Sequence, residues 1–267
     1  MPVIDPHVHL ELDDGMRLGR GPHMLDDYLA ATADLDLRAS GVLVMAPRDD
    51  LDRTRRLNDL VLGLADRDDR FYAMCSVHPE DGDRALEEID RVARSGARGL
   101  KLHPNTQAFD VADETVRAIV EHAGEAGLPV LFDAYSPFDP AQPGKFVQLA
   151  LACPRAQVVL AHMHFMDFPK LLVYEVLGRY PHFTRNVWFD MSATAKLFAD
   201  SPFRDQFGWV CRTVGADRLL WASDYPLDDP AESLAALDAY AFTEDERQRI
   251  VHDNAVELFG LGDVVGV

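Results

Sequence analysis

The sequence predicts an α/β protein, a single (β/α)8 or TIM barrel over residues 1–267. Three observations predict it. Eight short β-type apolar runs recur along the chain. Amphipathic helical segments alternate with them. The polar residues able to do chemistry gather at the C-terminal ends of those runs, where barrels place their active sites.

The runs read as strands cover residues 3–5, 42–45, 71–77, 99–103, 129–133, 158–162, 187–191 and 219–223. Several are near-continuously apolar, as expected of parallel strands buried on both faces. The first helical segment covers 24–39 and ends before Ser40-Gly41. The next covers 52–67, with Leu57, Leu60, Val61 and Leu64 at helical spacing. Segments 82–95 and 112–126 end at Gly96 and Gly127. Gly41, Gly96 and Gly127 all read as helix C-caps that require positive φ. Further helices are expected over 146–153, 167–179, 203–214, 232–239 and 244–259. The last is capped by Thr243 with Glu246 three residues on. No composition shift, linker, repeat or low-complexity tract divides the chain. Loops over 10–23, 105–111, 135–145 and 193–202 follow strands and would form the barrel mouth.

Hydrophobic residues make up 48% of the chain, enough for a sizeable core and too many for a disordered segment. The net charge of −19 repels phosphate backbones and anionic membrane surfaces, so the expected partner is a small-molecule substrate, with no nucleic acid and no membrane. Cys75, Cys153 and Cys211 are odd in number and widely spaced, which argues against a disulfide framework and a thiolate zinc site. With no signal peptide and no apolar run of membrane length, a cytoplasmic protein is expected.

The chemistry starts at Val3-Ile4-Asp5-Pro6-His7-Val8-His9. Side chains at i and i+2 of a strand share a face, so His7 and His9 aim at one spot, as a metal requires of two ligands. Other strand ends carry His78-Pro79, Lys101 with His103-Pro104, Asp133, His162 with His164, and Asp224. Alternation places Val158, Leu160 and His162 on one face, Leu131 with Asp133 on another, and Leu220, Ala222 and Asp224 on a third. Nitrogen and carboxylate ligands converging at the mouth suit Zn²⁺, Mn²⁺ or Fe²⁺ with an open position. Such an ion acidifies water and polarises a carbonyl. Asp224 is then both a ligand and the base that takes the water's proton. His162 hydrogen-bonds the substrate oxygen or delivers a proton. The bland alternatives are a helix N-cap for Asp224 and a loop position for His164. Tyr135, Tyr225 and Phe165 are expected to line an aromatic pocket, with His164 also touching substrate. Arg48, after Met45-Ala46-Pro47, either clamps a substrate carboxylate or pairs with Asp49 or Asp50.

The segments Ile4-Asp5-Pro6-His7-Val8-His9, Gly99-Leu100-Lys101-Leu102-His103-Pro104, Leu128-Pro129-Val130-Leu131-Phe132, Leu160-Ala161-His162 and Ala222-Ser223-Asp224-Tyr225-Pro226 together resemble the amidohydrolase superfamily. The most similar branch is the amidohydrolase-related group, which also holds aminocarboxymuconate-semialdehyde and resorcylate-type decarboxylases, lactonases and hydratases. The resemblance implies one divalent metal at the mouth, Zn²⁺ first and Mn²⁺ or Fe²⁺ as alternatives. It is held by His7, His9, Asp133 and Asp224, with His162 as acid/base or second ligand. The group usually has histidine where this chain has Asp133. An aspartate there favours Mn²⁺ or Mg²⁺, lowers the Lewis acidity of zinc, or marks a site that has lost its metal; His164 could compensate. Binuclear relatives carboxylate a strand-four lysine, but a lysine in the context of Lys101 also occurs without that role. His78 and His103 are expected to shape loops. A homodimer is common among such barrels.

The function expected from this reading is a metal-dependent hydrolase. It would cleave a C–O or C–N bond of a small carboxylated or cyclic substrate through metal-activated water. A non-oxidative decarboxylase or hydratase on the same site is the alternative. A barrel that has lost its metal and serves as a binding protein or metal-free catalyst is a third reading.

Overall fold

Eight parallel strands succeed one another around the sheet in chain order, in a computed structural model that describes residues 1–13 and 24–265. They are β1 (Val3–Val8), β2 (Leu37–Leu43), β3 (Phe71–Cys75), β4 (Gly99–Leu102), β5 (Val130–Asp133), β6 (Val158–Ala161), β7 (Val187–Asp190) and β8 (Leu219–Leu220). Every neighbouring pair from β1–β2 to β7–β8 is parallel. Helices cover the outside: α1 (Leu25–Ala31) after β1, α2 (Leu51–Arg67) after β2, and α3 (Asp83–Arg94) after β3. The short α4 (Pro104–Gln107) and α5 (Glu114–Glu125) follow β4, α6 (Gln142–Ala152) follows β5, and α7 (Leu172–Gly178) follows β6. Then come α8 (Thr194–Ala199) and α9 (Arg204–Val214) after β7, and α10 (Pro230–Ala236), α11 (Glu244–Gln248) and α12 (Asn254–Phe259) after β8. The sequence is therefore a (β/α)8 barrel, as its alternating runs imply.

The barrel closes between β8 and β1 through unusual partners. Val8 bridges Tyr225, and the His9 amide donates to the Tyr225 carbonyl at 2.8 Å. Below that, the buried Asp5 carboxylate accepts from the Ser223 amide (2.9 Å) and hydroxyl (2.6 Å) and from the Tyr28 hydroxyl (3.1 Å). A side chain thus takes the place of a backbone ladder at the seam. Burial pushes the Asp5 pKa up to about 7, although these hydrogen bonds pull against it.

Two apolar layers follow from strand alternation. Val130, Phe132, Val158, Leu160, Val187 and Phe189 pack outward among the helices. Ile4, Leu131, Val159, Ala161 and Leu220 form the barrel interior, together with Leu258 and Phe259 of α12. Phe259 meets the Tyr72 ring at 5.6 Å, so α12 plugs the floor opposite the mouth. Among the described residues no helix is long and apolar enough to cross a membrane.

β1 changes face part-way along. Ile4 belongs to the interior, yet Val8 packs with the outer layer. The register explains this: Asp5 pairs with Ser40 and Val8 with Val42, so three steps on β1 oppose two on β2. The extra residue is a β-bulge, and it reverses which residues point inward. Without it His7 and His9 would face the helices.

Several boundaries differ from the sequence reading. α1 ends at Ala31, not at residue 39, where the Thr32 hydroxyl donates back to the Tyr28 carbonyl (2.9 Å). Ser40-Gly41 is therefore not a helix end but the middle of β2. Glycine is required there by close approach, because a Cβ would stand 2.8 Å from the Tyr72 ring and 2.9 Å from the Pro6 carbonyl oxygen. Gly96 and Gly127 do take positive φ. Residues 193–202 contain α8 rather than a plain loop. The closing helix divides at a π-helical turn, Arg249–Asp253, whose Ile250 carbonyl accepts from the Trp221 amide and ends β8 early. The capping box of Thr243 and Glu246 is present. Most of the 10–23 loop lies outside the described residues.

The Gly41 contact predicts that Gly41→Ala is destabilising by about 1–3 kcal/mol through overpacking of the β1–β2–β3 wall. In calorimetry this is a fall in melting temperature of roughly 3–10 °C.

Candidate metal centre

The bulged end of β1 brings the His7 and His9 Nε2 atoms to 3.2 Å from each other. Asp224 Oδ1, from beyond β8, stands 3.2 Å from His7 Nε2 and 3.5 Å from His9 Nε2. A tetrahedral ion bonded at about 2.0–2.1 Å spaces its ligands about 3.3–3.4 Å apart, so this triangle fits one face of such a shell. Cis positions of an octahedral ion fall at similar spacing, and Zn²⁺, Mn²⁺ and Fe²⁺ are accommodated alike. Among the described residues this is the only group of three such side chains whose ligand atoms all lie within 4.8 Å of one another. His7 Nδ1 is held by Asp190 Oδ2 at 2.7 Å, which aims the Nε2 lone pair at the triangle. Asp190, at the end of β7, in turn accepts from the Ser192 amide (2.7 Å).

Asp133 stands outside this trio. Its Oδ2 lies 3.4 Å from His162 Nε2 and 3.4 Å from His103 Nε2, so the two imidazoles rather than the His7–His9 pair claim it. His162 reaches across to Asp224 Oδ2 at 3.9 Å, and its Nδ1 hydrogen-bonds the Ser192 carbonyl oxygen at 3.3 Å. Burial opposes a charge on His162, but the Asp133 contact and the Asp224 charge outweigh it and raise its pKa to about 9. Burial likewise disfavours ionised Asp224, yet His7, His9 and His162 hold it near 2. Asp133 also stays well below the usual carboxylate range, because His162, His103 and Lys101 outweigh its burial. Lys101, fully buried on β4, places Nζ 3.1 Å from His7 Nε2. Burial lowers its pKa while Asp133, Asp224 and Asp190 pull the other way. The floor of the mouth is thus a lattice of alternating acids and bases.

A sequence profile of the amidohydrolase family matches residues 4–261. The chain belongs to the amidohydrolase family. No curated protein matches it significantly by sequence. Solved structures share its fold at low identity. One is 2,6-dihydroxybenzoate decarboxylase from Rhizobium, at 18% identity and a TM-score of 0.73, covering 97% of this chain and 98% of that one. Another is 5-carboxyvanillate decarboxylase from Novosphingobium aromaticivorans, complexed with manganese and 4-hydroxy-3-methoxy-5-nitrobenzoic acid. It is 20% identical at a TM-score of 0.68, covering 92% of this chain and 81% of that one. A structure assigned to a 2-pyrone-4,6-dicarboxylic acid hydrolase of Pseudomonas putida is 20% identical at a TM-score of 0.70, covering 97% of each chain.

In this amidohydrolase a cavity of about 430 Å³ opens above the trio. Asp133, His162 and Asp224 form its base, and Tyr135 and Phe165, with rings 5.3 Å apart, form one wall. His103, Asn105 and Asp228 also line it. His103 and His78 were read as loop-shaping residues, and both are: His78 binds the Gln107 carbonyl oxygen at 2.8 Å, and His103 Nδ1 accepts from the Thr106 amide at 3.4 Å to cap α4; His103 lines the cavity as well.

Three residues expected to touch substrate are not among the lining of this cavity. Arg48 is not among the cavity's lining residues; it is bound to Glu80 at 2.6 and 2.7 Å and also lies 3.8 Å from Asp49, the pairing offered as the alternative. His164 is turned into the wall, 2.6 Å from the Ala134 carbonyl oxygen and against Phe146. The i, i+2 rule fails there because residues 162–165 have φ of 63°, 47°, 60° and 47° and are not extended. The same turn corrects the β6 parity: Val159 and Ala161 face inward, and the left-handed backbone, not alternation with Val158 and Leu160, swings His162 into the mouth. Tyr225 packs its ring on Tyr28 (5.1 Å) and is not among the cavity's lining residues. Asp190 and Asp5 were not singled out in the sequence; an acid closing an apolar strand run was the available signal for Asp190.

Two outcomes follow. Asp190→Asn should weaken Mn²⁺ or Zn²⁺ binding by about 10- to 100-fold in calorimetric titration, with His7 and His9 intact. In chelator-treated protein, the raised His162 pKa contributes stability fully present below its ordinary 6.5 and lost as pH rises through about 9. The melting temperature should fall across that interval, and His162→Gln should flatten the fall.

Proposed function

We propose that this amidohydrolase is a metal-dependent hydrolase that cleaves a C–O or C–N bond of a small carbonyl substrate. One observation carries the reading: the two oxygens of Asp224 serve different neighbours. Oδ1 faces the His7–His9 pair, whereas Oδ2 faces His162 across the base of the cavity. When bound at His7, His9 and Asp224, a divalent ion supplies Lewis acidity toward the carbonyl and lowers the pKa of water. Asp224 Oδ2 is placed to take a proton from the attacking water. His162 Nε2, kept protonated by Asp133, is placed to deliver a proton to the leaving oxygen or nitrogen. Its Nδ1 contact with Ser192 keeps Nε2 toward the cavity. Asp190 keeps the His7 ring in register through Nδ1. Tyr135 and Phe165 offer a flat apolar wall against which a ring would stack.

A second reading is non-oxidative decarboxylation, in which His162 protonates carbon. The decarboxylases among the solved relatives and the aromatic wall favour it. Arg48 lends it no support, since the guanidinium is engaged by Glu80. The two readings divide on products. Ester, lactone and amide substrates should be hydrolysed without CO₂, whereas hydroxylated aromatic acids should release CO₂ if the second reading holds.

Turnover of the active substrate class should vanish with chelation and return with Mn²⁺ or Zn²⁺. Asp224→Asn should lower kcat by about 10²–10⁴-fold. Full activity after exhaustive chelation would remove the ion from the mechanism.

A further inference from the structure

Residues 192–194, between β7 and α8, form a three-residue turn against His162. The Thr194 amide donates to the Ser192 carbonyl oxygen at 2.5 Å, two residues back. The central residue, Ala193, has φ 57° and ψ −42°. This is a γ-turn of the positive-φ kind, which is rare and strained for a residue that carries a Cβ. Nothing in an alanine side chain favours it, so the surroundings impose it.

The turn spends its polar groups on His162. Ser192 Oγ lies 3.1 Å and the Ser192 carbonyl oxygen 3.3 Å from His162 Nδ1. Thr194 Oγ1 donates to the His162 carbonyl oxygen at 2.6 Å. One side of the turn therefore grips the ring and the other grips the backbone. Both Ser192 and Thr194 are fully buried, and neither is among the residues lining the cavity. His162 itself opens the run of positive φ that ends β6. Two strained segments without glycine thus meet at one imidazole, and such strain collects where a side chain must be aimed. With its backbone carbonyl and Nδ1 both held, the ring presents Nε2 to Asp133 Oδ2 at the base of the cavity. The turn is anchored on its other side as well, because the Ser192 amide donates to Asp190 Oδ1 (2.7 Å), and Asp190 holds His7.

We propose that Ser192 and Thr194 are positioning residues for His162, Thr194 through its hydroxyl on the backbone carbonyl and Ser192 through its hydroxyl on Nδ1. The effect on turnover rests on the reading of His162 as the proton donor, which hydrolysis and decarboxylation share. The placement of the ring does not rest on it.

Imidazole ¹H–¹⁵N correlation spectra of the full chain, with and without Zn²⁺, read the ring directly, with His162→Gln identifying its signals. Thr194→Val keeps the side-chain shape and removes the hydroxyl. It should shift the His162 signals and leave those of His9 in place. Thr194→Ser, which keeps the hydroxyl, should return them to the wild-type positions. Ser192→Ala, which keeps the amide bound to Asp190, should shift the same signals, and it carries the test alone if Thr194→Val does not fold. Zn²⁺ affinity in calorimetric titration should stay at the wild-type value. On a substrate that the wild type turns over, kcat should fall about 10- to 100-fold in Thr194→Val with KM unchanged, and recover in Thr194→Ser. Unchanged His162 signals in the folded variants overturn the placement. So does a shift shared equally by His9, or a loss of Zn²⁺ affinity in step with kcat, since either marks a centre merely loosened. Wild-type turnover in His162→Gln overturns the proton-donor reading instead, and the spectra still decide the placement.

Discussion

The centre of this barrel depends on one extra residue in its first strand. Between Asp5 and Val8 the bulge reverses the inward face, so that Ile4 fills the interior below and His7 and His9 open onto the mouth above. Regular alternation would have continued the apolar interior with Pro6 and Val8 and driven both imidazoles among the helices. The same stretch seals the barrel, since Asp5 binds Ser223 and the His9 amide binds the Tyr225 carbonyl. Asp224 is held one residue beyond Ser223. Closure of the barrel and convergence of the three candidate ligands are therefore a single structural event.

Around that event three acids at the mouth each meet a base. Asp190 holds His7, Asp224 meets His7 and His9, and Asp133 meets His162 and His103. Burial works against every one of these ions singly, and only their pairing keeps Asp133 and Asp224 ionised and His162 protonated. Asp133 consequently meets its imidazole neighbours, His162 and His103, rather than the tight trio.

The barrel was readable in the sequence because buried parallel strands and capped helices leave local signatures: seven strands lie within the apolar runs or overlap them closely, whereas β2 starts five residues earlier, at Leu37, inside the stretch read as a helix. The His7–His9 pair and Asp224 were readable as strand-end candidates, and the fold brings the three together. What escaped was whatever local alternation does not govern. The failure at Ser40-Gly41 came from a glycine chosen for a contact with Tyr72, distant in sequence. His164 was misplaced because alternation was extended into left-handed backbone. Arg48 and Glu80, or His7 and Asp190, are partners only through the fold, and no spacing rule connects them.

The left-handed run at the end of β6 has a consequence for how such a protein can change. Met163 and His164 hold a left-handed conformation that glycine or asparagine adopts more cheaply, while His162 has positive φ as well and Phe165, at φ 47° and ψ −118°, takes one that favours glycine. Selection for thermal robustness alone would drift toward those residues and relax the turn. A relaxed turn no longer dictates where the His162 ring is carried, so hardening the fold here trades against holding that imidazole at the mouth. Laboratory evolution of this barrel should therefore find its gains in stability elsewhere, leaving this tight corner awkward on purpose.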